Sequence, residues 1–210
     1  MNSLEIFMEG KMQKQLSWFV LEKEMLTDSI MRRTVGILAF FMLTIAGAFV
    51  YIPLPITPVP LTLQTFFVLL CAAFLKKKDG FATQGTYIGL GALGLPIFSG
   101  ATGGIFRLLG PTGGYLLGFA VCIYVVSSLL DKFRTKGQLT FSKILFAFAS
   151  GISAIYLCGG LWLAFITKFS FSEIITYGIM PFIAGDVWKV ILATVIFHRS
   201  NERMKNIFKT

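Results

Sequence analysis

Charge is scarce in this sequence: only 14% of its 210 residues are Asp, Glu, Lys or Arg. A soluble domain ordinarily carries about a quarter. It has one histidine, and its three cysteines, Cys71, Cys122 and Cys158, stand far apart inside apolar runs. No Cys-x-x-Cys pair or Cys/His ligand spacing occurs, so neither zinc nor a disulfide framework is indicated, and no cofactor is expected. There is no Gly-Lys-Ser/Thr phosphate loop and no Ser/His/Asp set. The chain therefore lacks its own means of hydrolysing ATP and is not expected to be an enzyme. An intramembrane enzyme would have only one Asp/Lys pair to work with. The first 30 residues hold no apolar run longer than Trp18–Leu21, too short for the core of a cleavable signal peptide.

What the chain has is apolar surface: 55% hydrophobic residues, 15% aromatic, and a mean hydropathy of +0.76. The pattern predicts an all-α integral membrane protein, with six transmembrane helices in one compact bundle. The expected spans are about 34–50, 62–75, 81–93, 113–130, 144–166 and 179–197, which read as one membrane domain over 34–198. Before it lies a charged extension, residues 1–33, which reads equally as an interfacial helix or an unanchored tail. After it comes a basic tail, residues 199–210. The net charge of +9 does not suggest nucleic acid, because the basic residues sit in short clusters between apolar runs and form no stripe with interleaved aromatics.

Those clusters set the expected topology. With six spans, 16 of the 19 Lys and Arg residues fall on the side that holds both termini, and only Arg107 and Lys168 fall on the other. By the positive-inside rule both termini are cytoplasmic in a multi-pass plasma-membrane protein. Two irregular segments then face outward. Residues 53–60 carry four prolines and no charge, and are expected to fold back over the helix ends as a lid. Residues 94–118 hold 8 of the 21 glycines, two prolines and a single charge, Arg107. Irregular backbone survives at membrane depth only where protein or a watery cavity satisfies its polar groups, so this segment reads as a site. Gly89-x-Gly91-x-x-Gly94 matches a dinucleotide-binding pattern but follows no strand and is rejected. Gly85-x-x-x-Gly89 is expected to be a face of close helix approach.

The remaining cation, Lys189, lies inside the last span, three residues after Asp186, so the two share a helix face. Ionisable groups in a span are costly and usually functional. Asp186, Lys189 and Arg107 would suit a small anionic ligand with amide-like donors, with Gln84 and Tyr87 as neutral hydrogen-bonding candidates. Trp162 and Trp188 could line an apolar part of the ligand, although either alone reads as an interface anchor. A channel or carrier that moves a small anionic solute unaided is the alternative class.

The motifs Pro53-Leu-Pro-Ile-Thr-Pro-Val-Pro-Leu-Thr-Leu-Gln-Thr65, Gly94-Leu-Pro-Ile-Phe98, Gly110-Pro-Thr-Gly-Gly-Tyr-Leu-Leu-Gly-Phe119 and Gly185-Asp-x-x-Lys189 resemble, in this order, the BioY family. These are biotin-binding S components of energy-coupling-factor (ECF) transporters. The resemblance covers roughly 34–198. It implies high-affinity capture of biotin from outside the cell, and import powered by a transmembrane coupling protein with two cytosolic ATPase subunits. Asp186, Lys189 and Arg107 would contact biotin, and which cation holds the carboxylate stays open. One departure concerns docking: Gly36-Ile-Leu-Ala-Phe40 stands where S components commonly carry an Ala-x-x-x-Ala face.

Overall fold

The structure, a computed structural model, describes residues 30–207. Most of the extension expected over 1–33 lies outside them, as do residues 208–210. The chain divides into two units, Met1–Gly36 and Ile37–Thr210. Of the first, only residues 30–36 are described, and they are helical.

Among the described residues, four helices are long and apolar enough to cross a membrane: α1 (Ile30–Phe49), α5 (Gly113–Thr135), α6 (Phe141–Thr167) and the run Phe171–Glu202. The second and third expected spans are shorter, α2 (Gln64–Phe74) and α3 (Lys77–Ala92). At 1.5 Å per residue, α2 reaches only about 16 Å of a hydrocarbon core about 30 Å thick. The missing length is taken by irregular chain. Residues 51–62 form a hairpin in which β1 (Tyr51–Ile52) pairs antiparallel with β2 (Leu61–Thr62), and the prolines occupy its loop. Residues 93–104 form the second irregular segment, followed by the short α4 (Ile105–Leu109). Positive φ at Gly94, Gly100 and Gly104 turns this segment back on itself, and Ala101 at φ 55 closes the bridge between Phe98 and Thr102.

Short α2 forms the middle of the second unit, where Val68, Leu69, Cys71 and Ala72 are buried on every side. It contacts α5, α6 and α8 (Met180–Ile207). Tightest of all is the α5–α6 pair, an antiparallel hairpin of helices closed by a turn at Gly137. A Cβ on Gly114 would lie 2.7 Å from the Cys158 carbonyl oxygen, and one on Gly118 3.0 Å from Ile155 Cα. From the other side Gly159 accommodates the Tyr115 ring, and Gly151 accommodates Val126 and Cys122. This small-residue seam lets two backbones approach where no hydrophobic force drives them together. Gly85 and Gly89 do not play that part, because nothing lies within 4 Å of where their side chains would begin. Phe40 is spent inside the unit, its ring stacked on Phe74 at 6.2 Å.

The last helical run starts earlier than periodicity suggests. Ser170 and Glu173 form a capping box that starts α7 (Phe171–Glu173), and a π-helical turn over Ile174–Ile179 leads into α8. Pro181, which falls at the start of the span expected over 179–197, sits well inside this run. It has no N–H to offer the preceding turn, and the widened π-turn just before it absorbs that loss. The Tyr115 hydroxyl donates to the Gly178 carbonyl at 2.7 Å, which satisfies one backbone group of the π-turn.

Gly114→Val would drive a branched side chain into the Trp162 Cβ and the Cys158 carbonyl. It should cost about 1–3 kcal/mol, seen as a lower thermal midpoint in detergent, while Gly85→Val should leave the midpoint nearly unchanged. Equal effects of the two would contradict the assigned seam.

Candidate functional site

The two irregular segments and the helices between them enclose a cavity of about 590 Å³, counting the space at its mouth. One wall is aromatic and apolar, built from Phe98, Tyr115, Phe119 and Phe182, with the Tyr115 and Phe182 rings edge to face at 6.2 Å. The polar part of the lining is Thr62, Gln64, Thr65, Tyr156, Asp186 and Lys189, with Phe182 one turn before Asp186 on α8. Val59, Pro60 and Leu61 of the hairpin close one side, so the proline-rich connection is part of the cavity wall as well as a covering strap.

Asp186 and Lys189 bond to each other at 2.7 Å from successive turns of α8, with only 5% and 11% of their side chains exposed. Every ammonium proton of Lys189 has an acceptor: Asp186 Oδ1, the Thr62 carbonyl at 2.6 Å and Thr65 Oγ1 at 3.1 Å. The Thr65 hydroxyl in turn donates to Asp186 Oδ1 at 3.0 Å, and the Tyr156 hydroxyl donates to Oδ2 at 2.5 Å. A buried charge is tolerable only when paired and hydrogen-bonded in this way. Three elements meet at this one ion pair, with α8 supplying the charges, α6 supplying Tyr156, and the β2–α2 corner supplying Thr62 and Thr65. The corner is able to do so because Pro60 ends the extended loop and α2 begins only at Gln64, leaving the Thr62 carbonyl free of helix bonds.

The other expected site residues lie elsewhere. Arg107, on α4, faces a neighbouring cleft with Tyr51, Thr57, Ser99 and Thr102. Pro60 and Ser99 line both spaces and so form the partition between them. The Arg107 Nε is buried without a hydrogen-bond partner. Gln84 does not reach the cavity: it is fully buried, its amide donating to Thr44 Oγ1 at 3.3 Å while its Oε1 is sealed in the core. Tyr87 is equally buried, behind Gln64, to which its hydroxyl is bonded at 2.6 Å. Spacing put Gln84 and Tyr87 on one face of α3, and that face turns toward the core. Trp162 donates to the Gly110 carbonyl at 3.0 Å and pins the turn between α4 and α5 to α6, whereas Trp188 is 73% exposed and lines neither space.

Sequence reasoning missed Thr62, Gln64, Thr65 and Tyr156. The first three had a signal, a polar cluster directly after the prolines and at the start of an apolar run. Tyr156 had none, being one tyrosine within a long apolar helix.

Fold and site together define a helical membrane protein with a cavity that is mostly apolar and carries one polar cluster, suited to a small amphipathic solute. The sequence profile of the BioY family matches residues 12–206, and the chain belongs to that family. It is 39% identical over 168 residues to the probable biotin transporter BioY of Pyrococcus horikoshii, covering 80% of this chain and 95% of that protein. It is 38% identical to the biotin transporter BioY of Thermotoga maritima, covering 79% and 94% of the two. Among solved structures, the S-component for biotin from an ECF-type ABC transporter superposes with a TM-score of 0.77 at 25% identity, covering 83% of this chain and 93% of that one. The S component of another bacterial ECF transporter shares the fold, with a TM-score of 0.54 at 16% identity over 85% and 98% of the chains.

The ion pair yields a stability prediction. Lys189→Met alone strands the buried Asp186 carboxylate and should cost about 3–5 kcal/mol in the ligand-free protein. The double variant Asp186→Leu/Lys189→Met should cost clearly less than the two single changes summed, by thermal unfolding in detergent. Additive costs would mean the pair is not buried as described.

Proposed function

We propose that this chain is the biotin-binding S component of a vitamin uptake transporter. The observation that carries the reading is that the polar cluster around Asp186 and Lys189 and the aromatic side chains Phe98, Tyr115, Phe119 and Phe182 line a single cavity. Biotin matches that arrangement, with ureido N–H groups for acceptors, a carboxylate for a cation and an apolar ring system for the aromatics. Membership of a family whose curated relatives are named biotin transporters supports the same assignment.

Asp186 accepts a ureido N–H in this reading. Lys189 and Arg107 are the two candidates for the carboxylate, and they divide the ligand differently. Lys189 is committed to three acceptors and reaches a ligand only by giving one up. Arg107 has a buried Nε without a hydrogen-bond partner, and stands across the Pro60–Ser99 partition with the rest of its guanidinium facing the neighbouring cleft. We assign the carboxylate to Arg107, with the acyl tail passing that partition. The chain crosses the bacterial plasma membrane six times, with α2 and α3 completed by the irregular segments and both termini in the cytoplasm. Import is powered by a transmembrane coupling protein and two cytosolic ATPase subunits, a reading supported by the likeness to S components of ECF transporters.

Purified protein should bind biotin with a submicromolar dissociation constant, measured by equilibrium titration. Asp186→Asn and Arg107→Ala should each weaken binding at least about tenfold, roughly the loss of one charge-assisted hydrogen bond. Absence of binding by the wild type at micromolar biotin would overturn the substrate. For topology, single cysteines at Ala101 and Thr135, both exposed, should react with an impermeant thiol reagent from opposite sides of the membrane. Reaction of both from outside would overturn the orientation.

A further inference from the structure

Asp186 cannot serve a ureido group alone. Its two oxygens offer about four acceptor positions. Thr65, Lys189 and Tyr156 already fill three of them. One remains, whereas a ureido ring brings two N–H donors, so the second needs another acceptor on the polar wall.

Gln64 meets that need, and a buried relay fixes its orientation. The Ile97 carbonyl, which can only accept, lies 3.1 Å from the Tyr87 hydroxyl. The single Tyr87 proton is therefore committed to Ile97, and the phenolic oxygen must accept from its other neighbour. That neighbour is Gln64 Nε2, at 2.6 Å. With its NH₂ held toward Tyr87, the Gln64 amide has to present Oε1 the other way. Gln64 lines the cavity, and among the described residues nothing donates to its Oε1. Unlike Gln84 Oε1, it is not sealed off from solvent. Tyr87 itself is fully buried and tightly packed: its ring meets Phe98 edge to face at 5.5 Å, and Phe98 sits in the notch left by the absent side chain of Gly91.

We propose that Gln64 is the second acceptor for the ligand's N–H donors, and that Tyr87 is a positioning residue that locks the Gln64 amide with its oxygen toward the cavity. The same relay ties the polar wall to residues 97–99 of the glycine-rich segment, so orientation of the ligand head and placement of that segment are linked. This inference rests on the biotin reading of the cavity.

The test compares biotin with its two analogues methylated on one ureido nitrogen each, titrated against wild type, Gln64→Leu and Tyr87→Phe. Wild type should bind biotin at least about tenfold more tightly than the analogue methylated on the nitrogen that faces Gln64, the scale of one lost hydrogen bond. In Gln64→Leu that preference should fall to about one, with biotin affinity itself reduced. In Tyr87→Phe the preference should shrink severalfold, since the amide is free to turn, although the cavity lining is unchanged. A merely structural role would lower the thermal midpoint of either variant and leave the ratio of affinities alone. Preference retained in Gln64→Leu, with wild type binding biotin, overturns this inference and spares the biotin reading. Failure of the wild type to bind biotin overturns both.

Discussion

The structure depends on one buried ion pair that cannot be satisfied from a single helix. Lys189 and Asp186 sit on neighbouring turns of α8, and their mutual bond leaves two ammonium protons and most of a carboxylate unpaired. In an apolar interior that deficit is costly, and the cure comes from Thr62 and Thr65 at the start of α2 and from Tyr156 on α6. Those bonds fix the distance between three elements. The gap between the same elements is the cavity, so the interaction that makes the ion pair tolerable also shapes the space beside it.

Two devices keep the rest of the molecule from closing that space. The glycine seam draws α5 and α6 together on one side, which presents Tyr115, Phe119, Ile155 and Tyr156 along a single surface. On the other side α2 and α3 stop short, and the hairpin at 51–62 and the segment at 93–104 take over. Irregular chain suits this position because it supplies backbone groups, such as the Thr62 carbonyl, that a continuous helix would keep for itself. The glycines first stood out as breaks in the apolar pattern. In the fold, their positive φ angles let the second segment double back so that Phe98 packs over Gly91 and Ser99 reaches the cavity rim.

Much of this was legible in the sequence, and the failures have physical causes. The apolar runs located every long helix, and an Asp/Lys pair in a span announced itself by its cost. Lengths of α2 and α3 were not legible, because Lys76, Lys77 and Lys78 look like a solvated loop while Lys77 and Lys78 form the first turn of α3. The start of the last helix was overlooked although Ser170-x-x-Glu173 is a capping signature, since the apolar pattern strengthens only after Ile179. Gln84 and Tyr87 were chosen as polar residues in an apolar run. That logic finds groups needing a partner, and both find theirs inside the protein, Gln84 in Thr44 and Tyr87 in Gln64 and Ile97. Gln64, twenty positions earlier, belongs to the cavity, and only three-dimensional packing tells the two glutamines apart.

On the proposed reading the solute sits in the cavity beside the Asp186–Lys189 pair. The most direct measurement is a high-resolution structure of the protein loaded with biotin. It should show the ring system against Phe98, Tyr115 and Phe182, with one ureido nitrogen within hydrogen-bonding distance of Asp186. Biotin bound elsewhere, or held with no polar atom within reach of Asp186, Lys189 or Gln64, would contradict the account.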